Sequence, residues 1–570
     1  MTARKLVLVV LGATVTLALW TQGMAAQTGP VRSRYIKHVL LLSIDGMHAV
    51  DFDNCANGIA GINGGDSYCP NLAALGQTGI NYVAAASSTP SDSFPGIAAL
   101  VTGGSPKTTG IYYDVAYDRS LAPPAATTGT GLAGGTCTPY ATPPGTTTDY
   151  DQGIEYDDTK LNGGAPGASA TEGGIASIDP SKLVRDPAAG CAPVYPWDFV
   201  RVNTIFSVVH AAGGYTAWID KHASYSMVAG PGGTGLNDYY SPEVDSAVIA
   251  LPGIKTSLGA ACNPIRDSAG ASAWNSSFQN IQCYDALRLK GLLNQIAGKT
   301  HSGGAAQVPA VFGMNFQSVY FGQSLNEQGV GAGGYQNAAA WPSAPLLNEI
   351  QFVDASIGDI VNALKDADLY DSTLIIVTAK HGESPIDPTM YVANGSNTPA
   401  TLLGTAVPAS ESPLTAGGIG ATEDDVSVLW LAPGASLTGA VALLEKNAAA
   451  IGLGEIYYGP TLALNYNVGG LGPYQDPRSP DIIVTPNTGM TYSGSTSMIG
   501  DHGGFGHDDT NVILLVANPR FTAQTVSVTT RTAQVAPTIL QALGLDPLAL
   551  EAVSAEGTQV LPEVGAQLLK

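Results

Sequence analysis

Several apolar runs in this chain end in a polar residue capable of chemistry. The run Ile36 to Ile44 stops at Asp45-Gly46. A second, around 308–314, leads to Asn315, and a third at 373–378 leads to Lys380-His381. Tyr215 to Ile219 runs into Asp220-Lys221-His222, and Asp501-His502 stands before the apolar run 512–516. Two candidate nucleophiles, Ser91 and Ser93, lie among the hydroxyl residues of the loop SSTPSDSFPG. A carboxylate, a histidine or a lysine at the end of one strand is usually a turn or cap residue. Several of them, far apart in sequence and similarly placed on their strands, are what a ligand site looks like in an open α/β sheet, where ligands bind beyond the carboxyl ends of the strands.

The elements that must hold these residues follow from periodicity. Ile36–Ile44 is short and apolar throughout, as a strand buried on both faces reads. Further strands are expected at 215–219, 308–314, 373–378, 426–432, 481–485 and 512–516. Helices are expected at 201–212, stopped by Gly213-Gly214, at 284–297, and near 534–543, stopped by Gly544. The strongest helical pattern runs from about Ala344 to Leu369. There Leu346, Ile350, Val353, Ile357, Ile360 and Leu364 step by threes and fours, with Ser343 placed to cap the N-terminus. A further helix is expected to start after Pro95. Alternating strands and helices predict an α/β fold: a mixed, mostly parallel sheet with helices on both faces. Residues 115–200, rich in Gly, Thr, Pro and Ala, and residues 222–300 read as inserted cap segments over the site.

At these residues the chain resembles the type I phosphodiesterase/nucleotide pyrophosphatase family of the alkaline phosphatase superfamily. HVLLLSIDGMH is similar to the family's opening strand, SDSFPGIAALVTGGSPKTTGIYYD to its nucleophile segment, LIIVTAKHGESP to a metal-binding strand, and GDHGGFGHDDTNVILLV to the segment with its last metal histidine. The resemblance spans about residues 36–545 and implies an alkaline-phosphatase-like domain over 34–548, followed by a tail at 549–570. It implies a nucleophile at Ser93, metal ligands at Asp45, Ser93, His381 and His502, and a divalent metal, zinc, as one ion or two. The reaction it implies is phosphoester hydrolysis through a covalent phosphoserine. A serine hydroxyl needs a base or a metal to become a good nucleophile, and a divalent cation can also neutralise a phosphoryl oxygen.

The chain departs from the family's pattern at the metals. The family has an aspartate where this chain has Lys380, and an aspartate and a histidine where it has Asn315 and Val319. Asp114 replaces an asparagine that contacts phosphate. Three readings are open. One metal could remain, with Lys380 or Lys221 supplying the missing positive charge; in that form Lys380 is catalytic and points at the substrate, and Asp114, Asn315, Lys221 and His222 contact it. Ligands could instead be recruited from Asp114, Asp220, His222, Glu383 or His507. Or the chain could be a non-catalytic binding protein that keeps the fold. Monoesterase or sulfatase-like chemistry is a further alternative.

Composition narrows the partners. The formal net charge of the 570 residues is −22, with no run of Lys or Arg. So acidic a surface disfavours nucleic-acid polymers and anionic membranes, whereas a small phosphoester can bind where a metal or lysine reverses the local field. Arg4 and Lys5 precede an apolar stretch from Leu6 to Trp20, and Gly23, Ala25 and Ala26 come next. That order is a signal peptide over 1–26, too short to span a bilayer, which needs about 20 apolar residues. Secretion or periplasmic export without a stable membrane anchor is expected. Six cysteines and no Cys-x-x-Cys agree with export and three disulfides. The simplest pairing joins neighbours: 55 with 69, 137 with 191, 262 with 283.

Overall fold

The computed structural model describes residues 35–150, 153–158, 161, 175–263, 273–406, 421–432, 434–493 and 497–569. The apolar segment expected to be a signal peptide lies outside them. No helix among the described residues is long and apolar enough to cross a membrane.

The apolar run after the N-terminal segment forms strand β1 (His38–Ile44). Its side chains alternate between two cores: Leu40, Leu42 and Ile44 enter one, Val39 and Leu41 the other. Both faces of the strand are therefore covered, which is why it reads as a continuous rather than an alternating apolar run. Around it stand β2 (Gly79–Tyr82), β3 (Ala217–Ile219), β4 (Asp238–Tyr240), β5 (Val311–Phe316), β6 (Thr373–Thr378), β7 (Leu514–Ala517) and β8 (Gln524–Val526). They form one sheet in the order β8-β2-β7-β6-β1-β5-β3-β4. Five of its seven pairings are parallel, and only the two made by β7 are antiparallel. The sheet is thus mixed and mostly parallel, as the alternation of strands and helices predicts.

One face is covered by α2 (Phe278–Ile296) and α3 (Ala344–Asp366). The other is covered by α1 (Ser93–Thr102) and α4 (Val535–Ala542). In α3 the expected stripe is buried, and Ser343 caps it by accepting a hydrogen bond from the Leu346 N–H. Beyond residue 548 the chain continues as short helices, and Val553, Val564 and Leu568 join the second core.

Four details differ from expectation. Helix α1 begins at Ser93, not after Pro95, because the Asp92 side chain caps it by accepting from the Phe94 N–H. The runs at 426–432 and 481–485 leave the main sheet. They form Ser427–Leu429 and Ile482–Pro486 of a separate antiparallel sheet with Ala421–Glu423 and Leu453–Tyr458. That sheet has a core on each face, so its strands look as apolar as those of a parallel sheet. Strand β2 has no apolar run to announce it. Finally, β4 and α2 lie within the stretch 222–300 yet belong to the main sheet and one of its helical layers.

The cysteines pair as neighbours: Cys55–Cys69, Cys137–Cys191 and Cys262–Cys283.

Candidate active site

Strands β6, β1, β5 and β3 are consecutive and parallel, so their carboxyl ends share one edge of the sheet. Register aligns the residues at those ends. Ser43 stands opposite both Asn315 and Thr378, and the Asp45 N–H donates to the Phe316 carbonyl at 3.0 Å. Asp45, Asn315, Lys380-His381 and Asp220-Lys221 thereby converge. Helix α1 closes the group from the second face. Its Gly96 allows the approach: a Cβ there would come 2.3 Å from the Lys380 carbonyl oxygen. Ser93 consequently meets His381.

Ser93 Oγ lies 3.2 Å from His381 Nε2 and 3.4 Å from Lys221 Nζ. The opposite ring nitrogen, Nδ1, stands 2.8 Å from the Gly382 carbonyl. A carbonyl only accepts, so Nδ1 carries the hydrogen and Nε2 turns its lone pair toward Oγ. Burial lowers the His381 imidazole to about 4, against the pull of Asp45 and with the help of the Lys380 charge. The ring is neutral at physiological pH. Ser91, the rival hydroxyl, is instead turned inward, donating to the Asp509 carbonyl at 2.6 Å.

Asp45 and Lys380 form a solvent-inaccessible ion pair, with Nζ 3.2 Å from Oδ2. The same ammonium is 3.8 Å from Asp220 Oδ1 and lies over the Tyr225 ring at 4.3 Å. Asp45 Oδ2 also accepts from Asn315 Nδ2 at 2.9 Å and from Gln317 Nε2 at 2.6 Å. Burial alone would raise the Asp45 carboxyl, but Lys380, then His381 and Lys221, hold it well below the ordinary carboxylate range. Burial pulls Lys380 down, opposed by Asp220 and Asp45.

A cavity of about 600 Å³ opens over this cluster. Ser93, Asp114, Lys221, His222 and His502 line it, beside Gln317, Tyr320 and Asp501. Lys380, Asn315 and Asp45 are not among its lining residues. Lys380 therefore does not face the cavity, contrary to the expectation that it points at the substrate; it is turned inward by Asp45 and Asp220, and Lys221 is the lysine at the cavity. Asn315 is likewise used up inside, bonded to Asp45 and, at 3.3 Å, to Asp220. His222 sits at the wall with Nδ1 held 2.8 Å from Glu243. Of the two candidate histidines near residue 505, His502 reaches the cavity and stacks on His381 at 3.9 Å between ring centres, whereas His507 is exposed.

A metal on Asp45 does not fit this arrangement. One carboxylate oxygen is shared by two amides and an ammonium. An ion on the other oxygen, Oδ1, would stand beside that ammonium and be repelled by it. Val319 is buried and apolar and cannot ligate. His381, Glu383 and His502 form a different group, with donor atoms within 4.8 Å of one another.

Gln317 and Asp92 are residues of this site that the sequence reading missed. Gln317 lies two residues past Asn315, and Asp92 immediately precedes Ser93; both signals are adjacency alone. Asp92 Oδ1 is 3.5 Å from His502 Nε2, which ties the capping residue of α1 to the far wall of the cavity.

The sequence profile of the type I phosphodiesterase/nucleotide pyrophosphatase family matches residues 39–138 and 332–505. No curated protein sequence matches the chain. Among solved structures, murine ectonucleotide pyrophosphatase/phosphodiesterase 5 superposes with a TM-score of 0.50 at 13% identity, covering 90% of this chain and 96% of that one. Its inactive variant in complex with AMP gives 0.51 at the same identity and coverage. At that identity the likeness is one of fold, the alkaline-phosphatase-like α/β fold. With the profile match falling on β1, the Ser93 segment, the Lys380-His381 strand end and His502, the chain belongs to the type I phosphodiesterase/nucleotide pyrophosphatase family of phosphoric ester hydrolases.

Proposed function

We propose that this chain hydrolyses a small phosphoester, a diester or nucleotide pyrophosphate ahead of a monoester, through a covalent phosphoserine at Ser93, and that it does so after export. The observation that carries the reading is Ser93 Oγ at the N-terminus of α1 and at the wall of the cavity, held between the His381 imidazole and the Lys221 ammonium. The AMP bound to the murine structure supports a nucleotide-like substrate. The three disulfides agree with an oxidising compartment.

Positive charge activates the hydroxyl in this scheme. Lys221 lowers the affinity of Oγ for its proton, which leaves to the water of the cavity, and His381 Nε2 orients Oγ. Attack forms the Oγ–P bond and breaks the P–O bond to the leaving alcohol or phosphate. The Lys221 charge and the positive N-terminal end of the α1 dipole oppose the charge on the phosphoryl oxygens. Water then attacks phosphorus, its oxygen staying on the released phosphate monoester (phosphate, from a monoester substrate) and its proton restoring the Ser93 hydroxyl. No step is routed through a metal on Asp45.

A second reading is a binding protein that keeps the fold without turnover, favoured by the Lys380 ammonium standing against Asp45. The test is turnover of bis(4-nitrophenyl) phosphate, 4-nitrophenyl phosphate and 4-nitrophenyl sulfate by the purified chain. The diester is expected to react fastest and the reaction to disappear in Ser93→Ala. Turnover of the sulfate alone overturns the reading, and binding of AMP without hydrolysis of any ester supports the second.

A further inference from the structure

We infer that His222, held in place by Glu243, is the general acid that gives a proton to the leaving oxygen when Ser93 attacks. The inference deepens the proposed reaction and rests on it for the identity of the nucleophile.

Neighbouring strands place the pair. Ile219 of β3 is in parallel register with Tyr240 of β4. His222 and Glu243 follow these two residues at the same distance along the chain, beyond the carboxyl ends of the strands, and meet there. His222 Nδ1 lies 2.8 and 2.9 Å from the two Glu243 carboxylate oxygens. A carboxylate only accepts, so Nδ1 carries a hydrogen. Glu243 is buried, and the Asp245 N–H donates to its Oε1 at 3.1 Å. Burial, with Glu243 beside it, pushes the Glu155 carboxyl well above the usual range, so the charge of these two acids rests on Glu243. The Tyr239 hydroxyl donates to the His222 carbonyl at 2.8 Å, and the Tyr225 ring stacks on the imidazole at 5.9 Å between ring centres. An imidazole fixed in this way and backed by a buried carboxylate can carry a proton on its second nitrogen and give it up. Glu243 is its positioning residue.

The position suits the leaving group. His222 borders the same cavity as Ser93 and Lys221. Its backbone is extended, with φ −138° and ψ 153°, so its side chain leaves the chain on the opposite side from that of Lys221. Lys221 reaches Ser93 Oγ at 3.4 Å. His502, the other histidine bordering the cavity, stacks on His381, which also contacts Ser93. Both therefore stand at the attacking end, and His222 is the cavity histidine away from it. In-line displacement puts the leaving oxygen opposite Oγ, and negative charge grows there as the P–O bond breaks. Lys380 is turned inward and supplies no charge at that point. The electron pair of the breaking bond goes to the leaving oxygen, Nε2–H passes its proton to the same atom, and the alcohol departs neutral. The imidazole regains a proton from the water of the cavity, which has received that of Ser93.

The test is kcat/KM of the full chain on methyl phosphodiesters whose aryl leaving groups are 4-nitrophenoxide, 4-chlorophenoxide and phenoxide. 4-Nitrophenoxide spreads its charge into the nitro group and leaves with little help from an acid, whereas phenoxide needs one. His222→Gln should slow the phenyl ester about a hundredfold and the 4-nitrophenyl ester by less than about tenfold. Glu243→Gln should show the same split in smaller measure, which loss of a merely structural carboxylate would not, and it serves if His222→Gln does not fold. The ratio between esters is taken within one variant, so its folded fraction cancels. Equal slowing of all three esters in either variant, or no slowing, overturns the role of His222 and leaves Ser93 as the nucleophile. A parent chain that hydrolyses none of the esters overturns both.

Discussion

Lys380 Nζ stands 3.2 Å from Asp45 Oδ2, and neither side chain is reached by solvent. An ammonium thus occupies the space in which the sequence resemblance places a metal. A lysine in a strand-end position is ordinarily drawn toward solvent. Here two carboxylates, Asp45 and Asp220, and the face of Tyr225 retain it inside.

Breaking that pair is expected to cost stability. Lys380→Met leaves the Asp45 charge buried, and the loss should be about 3–5 kcal/mol, as for other severed buried pairs. The Asp45→Asn/Lys380→Met double variant should recover much of it. Urea denaturation of Lys380→Met, Asp45→Asn and the double variant measures this. A double variant as unstable as the two single losses added together would show that the residues are not coupled.

Ser93→Ala is expected to reduce phosphoester turnover by on the order of a thousandfold or more, with an unchanged melting temperature. Ser91→Ala should do the reverse. Its hydroxyl bonds Asp509 and Ser87 inside the protein, so removing it should cost about 1–2 kcal/mol of stability and leave turnover intact. Mass spectrometry of acid-quenched enzyme should find the phosphoryl group, still carrying its second ester when the substrate is a diester, on the peptide containing Ser93. Phosphate on another residue would move the nucleophile.

Lys221 is the cation at the cavity wall, 3.4 Å from Ser93 Oγ and 4.0 Å from Asp45 Oδ2. Lys221→Met should lower kcat about a hundredfold, the usual effect of deleting one group that stabilises transition-state charge. An effect confined to KM would reassign it to ground-state binding.

Far from the site, Arg201 grips Asp476 with two bonds of 2.7 Å, and Asn467 adds a third at 2.9 Å. Burial would raise the Asp476 carboxyl, yet Arg201 and Asn467 hold it well below the ordinary range. A carboxylate depressed in the folded state binds fewer protons than in the unfolded chain. It therefore contributes stability above the ordinary carboxylate pKa near 3.8, and that contribution is lost as pH falls further. Asp476→Asn should cost about 1.5–3 kcal/mol at neutral pH and flatten the acid limb of a plot of stability against pH. An unchanged acid limb would show that other carboxylates dominate it.

Sequence alone was enough for the parts of this protein that depend on local pattern. The double-sided burial of β1 makes it apolar at nearly every position, and the threefold and fourfold steps from Leu346 to Leu364 mark α3 without any neighbour being known. The order of motifs around Asp45, Ser93, His381 and His502 was enough to indicate the family. The second sheet was not legible, because Val428 and Ile483 face one core and Leu429 and Ile482 another, and burial on both faces erases the alternation that would have set these strands apart. Nor could sequence say where the charges point. Lys380 and Lys221 are both lysines next to a histidine at a strand end, yet one is sealed against Asp45 and Asp220 and the other borders the cavity beside Ser93. That difference arises from which strands are neighbours and how closely α1 approaches at Gly96, and these are set by contacts between residues hundreds of positions apart.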